Sequence, residues 1–369
     1  FIPTSTIVNE ARFGWFKDRL YDPYNPALIP PQTGSLGISV NNTPVGAATD
    51  YDRLNPSENR FQYSDNLSWN LGKHAVKFGF DYMATQDYTK LLRQEFGNYL
   101  YGTFAAFALD FSGVRSATGT GNYNTFQQRF GNRVIDTTLH DYDFYIQDQF
   151  RITPRLTLNY GVRYEYTSIP QPSQVNPDYP ATGQIHSPGN NWAPRFSMSY
   201  AITPKTVVRG GFGMFYARFQ SGLIQNLFTG NGLYQQFVSI QPTQAGAPIF
   251  PNILQSAAGL PLGSVDLQVA DNNFRNPYTL QTDLTVEREL TPTLGVSASY
   301  IYSRGVQLFT TRDLNLGDPG PNTTFRVNDA SGNQVGTFTT QTYLAANKVD
   351  RRYGRIWQVE NGGQSWYNG

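Results

Sequence analysis

His140 is followed closely by Asp141 and Asp143, the residue types of a His-Asp dyad in which imidazole takes a proton and a carboxylate orients it. No nucleophile or second acid accompanies them, and a solvated strand end is the plainer expectation. His74 falls in a tight turn and His186 in a loop, neither with metal-ligand spacing. DLNLGDPGPN, Asp313 to Asn322, offers loop oxygens for calcium but lacks the acidic order, central glycine and closing glutamate of an EF-hand. Gly119 to Asn122 is glycine-rich without the lysine of a phosphate loop. The sequence therefore predicts no enzyme, no cofactor and no metal site.

A larger charged set is more informative. Arg151, Arg163, Glu165, Arg195, Arg209, Asp283, Glu287 and Glu289 all carry odd numbers, and each lies in a run whose apolar residues are even. Tyr142, Phe144, Ile146, Phe150 and Ile152 alternate with polar positions; Leu156, Leu158, Tyr160, Val162, Tyr164 and Tyr166 repeat the pattern. Period-two alternation means strands with one apolar and one polar face. The charged set is thus expected on a single wall, as a hydrated lining with local ion pairs or as a binding surface. Exposed pairs of this kind contribute only about 0–1 kcal/mol each.

What positions that wall is a series of hairpins. Thr-Pro joints at Thr153, Thr203 and Thr291 each separate two alternating runs, and LGKH at Leu71 to His74 does the same. The runs are about 9–14 residues, longer than the roughly 5–6 of ordinary sheets and long enough for a tilted strand to cross a bilayer. Tight turns alternate with long segments, about Tyr21 to Glu58, Thr89 to His140, Ile169 to Ala193, Gln220 to Pro277 and Phe309 to Tyr353. Short turns at one end and long loops at the other are the asymmetry of outer-membrane barrels. Thr103 to Phe111 reads as a short amphipathic helix or strand inside one long segment.

Composition agrees with that architecture. Aromatic residues are 15% of the 369, with 24 Tyr and 25 Phe, and charged residues are also 15%, against roughly 25% charged in soluble domains. A formal net charge of +1 leaves no electrostatic footprint for nucleic acid. Cysteine is absent, which removes disulfides and thiol chemistry. Mean hydropathy is -0.44, as expected where half of each strand faces a polar interior.

Parity also predicts register. Apolar residues are even on both sides of each Thr-Pro joint, so facing numbers sum to an even value. A three-residue loop, Thr153 to Arg155, is expected to oppose Ile152 to Leu156, Phe150 to Leu158 and Ile146 to Val162. The same rule opposes Leu290 to Leu294 and Leu284 to Tyr300, whereas parity switches across LGKH and requires an even loop. Asp143 would then face Glu165, and two carboxylates so placed need a nearby cation.

The segments FGFDYMATQ, DYDFYIQDQFRITPRLTLNYGVRYEY, NNWAPRFSMSYAITPKTVVRGGFGMFY, NPYTLQTDLTVERELTPTLGVSASYIYSRGVQLF and YGRIWQVENGGQSWYNG resemble the barrel of TonB-dependent outer-membrane receptors, with nearest likeness to the Oar-like group. The resemblance implies an all-β fold, an antiparallel up-and-down transmembrane β-barrel with short periplasmic turns and long extracellular loops. It implies localisation in the outer membrane of a Gram-negative-type bacterium. About ten strands are expected here of roughly 22, so residues 1–369 are expected to be a partial barrel without plug, TonB box, N-terminal regulatory-like domain or the barrel's closing end. Implied partners are outer-membrane lipid, the protein's own plug domain, TonB and an extracellular solute such as a peptide, carbohydrate or chelate, with no nucleic acid. The implied function is energised import, with the odd-numbered charges facing lumen or plug. The alternative is a passive porin or an adhesin-like barrel.

Overall fold

The computed structural model describes residues 1–20, 36–45, 57–90, 92–343 and 345–369. In chain order the strands begin β1 (Ile7–Arg19), β2 (Gly37–Val40), β3 (Thr43–Pro44), β4 (Ser57–Leu71), β5 (His74–Lys90) and β6 (Asn98–Tyr101). Helix α1 (Phe104–Phe111) precedes β7 (Thr125–Gly131), β8 (Val134–Thr153), β9 (Leu156–Ser168), β10 (Asn191–Thr203) and β11 (Thr206–Tyr216). Helix α2 (Ser221–Thr229) is followed by β12 (Gln235–Ile240), β13 (Val265–Ala270), β14 (Tyr278–Thr291), β15 (Leu294–Asp313), β16 (Asn322–Asn328), β17 (Gln334–Gln341) and β18 (Tyr353–Asn368).

One sheet forms a wall in the order β1-β4-β5-β8-β9-β10-β11-β14-β15-β18-β13. Its first ten members are antiparallel neighbours in chain order; β13 joins the far edge in parallel with β18. Among the described residues the edge strands β1 and β13 do not pair, so the wall is not closed. Parts of the long connections build a second sheet, β12-β7-β6-β2-β3, and β16 pairs with β17 as a separate hairpin. The segment Tyr21 to Glu58 includes residues 21–35 and 46–56, which lie outside the described residues. Several strands run past the expected boundaries into the long segments, as β8 does by starting at Val134.

Two faces are inverted relative to a soluble protein. On β10 the apolar Phe196, Met198 and Tyr200 are exposed while Arg195, Ser197 and Ser199 are half-buried; on β14 Leu284 and Val286 are exposed while Asp283 and Glu287 are half-buried. Leaving this much apolar surface uncovered is unfavourable in water and favourable against acyl chains.

The register rule holds through the body of each hairpin. Phe150 faces Leu158, Ile146 faces Val162, Asp143 faces Glu165 and Leu284 faces Tyr300. The turn itself differs from expectation. Thr153 pairs with Leu156 across a two-residue turn, and the odd residue is absorbed as a bulge at Ile152; Thr203 with Thr206 and Thr291 with Leu294 repeat this, so Leu290 does not face Leu294. The threonine hydroxyl explains why. Thr153 Oγ1 accepts N–H bonds from Arg155 at 3.2 Å and Leu156 at 3.0 Å, and Thr203 Oγ1 accepts one from Lys205 at 3.2 Å. That local bond closes a turn whose first central residue is a proline with preset φ. At LGKH, Leu71 pairs with His74 across Gly72, which takes φ +61 as the first position of a hairpin turn demands.

The second sheet has its own core of Ile38, Tyr99, Tyr101, Phe107, Phe126, Val238 and Ile240 among others. Thr103 to Phe111 resolves as a helix, because Thr103 caps it by accepting the Ala106 N–H. The hydroxyls of Tyr99 and Tyr123 bond to the Asn252 and Pro248 carbonyls, and Tyr101 bonds to Asp110. Burial pushes all three phenols far above their ordinary range, with the Asp110 charge adding to it. The Gly119–Asn122 stretch serves this core: Asn122 donates to the buried Asp110 from its backbone and side chain.

Candidate functional site on the polar wall

The register of three adjacent strands places Asp81, Asp143 and Glu165 side by side, since Asp81 faces Asp143 across β5 and β8 and Asp143 faces Glu165 across β8 and β9. Three carboxylates in one row repel. A cation reaches them from the long connection after β11: Arg218 Nη2 is 3.1 Å from Asp143 Oδ2 and 3.9 Å from Asp81 Oδ1. Glu165 has Arg163 at 4.0 Å, and Gln62 donates to Asp81 at 2.7 Å. Asp141 is buried on the same side and accepts the Thr167 hydroxyl at 2.6 Å.

Arg218 is held by its neighbour. Phe219 is buried and stacks on Phe274 at 5.1 Å, which in turn stacks on Phe309 at 5.1 Å. Ala217 is tied from both sides, its N–H to the Pro277 carbonyl and its own carbonyl to Asn276 Nδ2. Beside Arg218 opens a cavity of about 340 Å³ lined by Glu58, Arg60, Met83, Asp141 and Ser221 among others.

Further along the wall a second cavity of about 380 Å³ is lined by Gln147, Gln149, Asn159, Arg163, Arg195 and Asp283 among others. Its floor depends on glycines. Gly161 lies so close to β8 that a Cβ there would sit 2.5 Å from the Ile146 carbonyl oxygen, and Gly79 leaves the space that the Tyr145 ring fills. Tyr145 donates to Asn66 at 2.6 Å and lies under the Arg163 guanidinium at 5.5 Å; Arg195 lies over Phe215 at 4.3 Å.

Of the eight charges expected on this face, Arg163, Glu165, Arg195 and Asp283 gather around the row and the second cavity. Arg209 pairs with Glu287 at 3.2 Å, nearer the short turns, and Glu289 pairs with Lys205 at 3.7 Å. Arg151 stands exposed opposite Thr157. Sequence reasoning missed Asp81 and Arg218. The demand for a cation beside Asp143 and Glu165 was the available signal.

The other candidate constellations come apart. His140 is on the opposite face from Asp141 and Asp143, and its Nδ1 lies 2.9 Å from the Tyr82 hydroxyl. In the Asp313 to Asn322 segment, Asp313 accepts backbone N–H bonds from Asn315 and Ile356, while buried Asn315 donates to three carbonyls. Among the described residues no group of three or more His, Asp or Glu is arranged to hold a metal ion.

On the apolar face, Phe13, Tyr63, Tyr82, Tyr142 and Tyr166 occupy one continuous register row across five strands. A row of aromatic rings toward the long-loop end is what a membrane interface selects. From Tyr142 to Phe150 is about 26 Å along the strand at ~3.3 Å per residue, on the scale of a tilted crossing of an apolar band about 25 Å tall.

The fold and its two faces define an outer-membrane β-barrel wall. The chain belongs to the family described as Outer membrane beta barrel domain, whose model matches residues 1–369. Among solved structures it is similar to the outer membrane transporter YddB from Escherichia coli, at 12% identity and a TM-score of 0.56, covering 99% of this chain and 36% of that one. Also similar are the FrpB iron transporter from Neisseria meningitidis, at 11% identity, TM-score 0.47 and coverage of 98% and 38%, and the siderophore receptor PirA from Pseudomonas aeruginosa, at 11%, 0.38 and 100% and 50%. The chain thus spans about a third of the length of YddB. No curated protein matches it.

Proposed function

We propose that this chain is wall of a TonB-dependent outer-membrane transporter of the Oar-like group, that residues 1–369 are a partial barrel domain, and that its polar face lines the path of an imported solute. The observation that carries the reading is the row Asp81, Asp143, Glu165 with Arg218 set into it from a long loop. A passive hydrated lining needs only scattered charges. A loop cation anchored beside a cavity makes instead a polar surface at the mouth, where solute or plug exchanges contacts with fixed charges.

In this reading Arg163, Glu165, Arg195 and Asp283 contact the plug or the solute. Arg151, Arg209, Glu287 and Glu289 serve the short-turn end. The short turns are periplasmic and the long segments extracellular, as in bacterial barrels generally. The partners are the protein's own plug domain, TonB and a peptide, carbohydrate or chelate.

Uptake in cells carrying the full-length protein tests this. Accumulation of a labelled solute identified by a growth screen should stop when TonB is deleted or the proton gradient is collapsed. Uptake that persists under both conditions would contradict energised import and favour a passive porin.

A further inference from the structure

Asp148 interrupts the apolar face of β8 between the even-numbered Ile146 and Phe150. A carboxylate on a lipid-facing surface is unfavourable unless it is paired, and here it is. Asp148 Oδ2 lies 2.6 Å from His74 Nδ1 and accepts the Tyr160 hydroxyl at 2.8 Å. His74 begins β5 directly after the Gly72-Lys73 turn, and its ring stacks on Phe150 at 4.2 Å with the planes 6° apart. The Asp148 side chain is 14% exposed, the His74 side chain 40%. The aspartate is therefore the inner member and the imidazole the outer one.

Two facts decide what meets that imidazole. The face belongs to the side of the wall that lipid covers, and the cluster sits at the short-turn end, where acyl chains give way to headgroups. Nδ1 is engaged by Asp148, which leaves Nε2 without a partner among the described residues. Lys73 is the adjoining turn residue, with its Nζ 3.1 Å from the Ile152 carbonyl oxygen. Lys73 at a lipid boundary matches a phosphodiester in charge with the His74 ring beside it, while Phe150 and Leu158 offer apolar surface to the attached chains.

We propose that His74 and Lys73 bind the phosphodiester of a phospholipid in the leaflet on the short-turn side, with the His74 ring held between Asp148 and the lipid phosphate. Asp148 and Tyr160 are positioning residues: they fix the ring so that Nε2 faces the headgroup layer. The proposal rests on the barrel's membrane placement but not on TonB or any solute, so failure of the transport reading leaves it standing.

Solid-state NMR reads the contact directly. The full-length protein, labelled with 15N in its histidine rings, is placed in vesicles of phosphatidylethanolamine and phosphatidylglycerol, and the His74 signal is assigned by its loss in His74→Gln. Dephasing of His74 Nε2 by lipid 31P is expected, with loss of most of that dephasing in Asp148→Asn. An intact His74 signal without dephasing would overturn the proposal, and dephasing unchanged in Asp148→Asn would overturn the role of Asp148. In a phosphorus-free detergent with inorganic phosphate the expectation is no dephasing; a signal there and none in vesicles would make this a free-anion site and also overturn it.

Discussion

Asp143 faces Glu165 across β8 and β9, and the guanidinium 3.1 Å from Asp143 belongs to Arg218, which reaches it from the loop beyond β11. The wall's charges are thus completed by a loop, and the loop's position depends on Phe219 packing beside it.

Arg218→Ala leaves Asp143 and Asp81 facing each other without that cation. Because the Arg218 side chain is 46% exposed, solvent screening limits the expected loss to about 1 kcal/mol. Asp143→Asn in the same background should recover most of it. A double-mutant cycle on refolded protein measures the coupling; zero coupling would show that the pair is incidental.

Val162 faces Ile146 on the apolar side, roughly midway between the Tyr142 row and the Thr-Pro turn. Val162→Arg should cost about 2–4 kcal/mol in a bilayer refolding titration, the usual range near a barrel's midplane. Free tolerance of arginine there would place that face in water.

Gly161→Ala should destabilise by about 1–3 kcal/mol, since its Cβ meets backbone and the two strands must separate. The comparison is Gly210→Ala, whose Cβ would make only ordinary contacts, the nearest at 3.4 Å. Equal effects at the two glycines would contradict the close approach of β9 to β8.

Asp329 closes the turn of the β16–β17 hairpin by accepting from Asn333 and Ser331. The Asn333 backbone bond, followed by its side-chain bond, holds the carboxyl below its ordinary range. A lowered folded-state value means the stabilisation is complete above the ordinary carboxylate pKa and is lost as pH falls through the lower one. Carboxyl 13C shifts should show Asp329 titrating below the other exposed aspartates, with the 329–333 amides broadening in step. Titration at the ordinary value would remove this account of the turn.

Strand parity made the two faces and most of the register legible, because a one-residue slip would have exchanged every side chain from Tyr142 to Tyr166. It could not show the bulges at Ile152, Ile202 and Leu290, which leave parity unchanged while shortening the turn by one residue. The place of Asp81 in the row was also hidden: it depends on how β5 and β8 align across a long connection that no period constrains. Arg218 lies in no alternating run, and the stacking of Phe219 on Phe274 and Phe309 together with the bonds on Ala217 puts it there. His140 and Asp141 looked joined because they are adjacent, yet adjacent residues on a strand point to opposite faces.

From β5 to β14, even-numbered residues of the wall should face lipid and odd-numbered ones a polar interior, the parity being reversed on β1 and β4. The chain has no cysteine, so nitroxides can be attached one at a time from Leu280 to Glu287 on β14 and their collision rates with oxygen and a nickel chelate measured in bilayers. Oxygen should prevail at Leu280, Thr282, Leu284 and Val286, and the nickel chelate at Gln281, Asp283, Thr285 and Glu287. A profile without alternation, or one of opposite phase, would contradict the barrel-wall account.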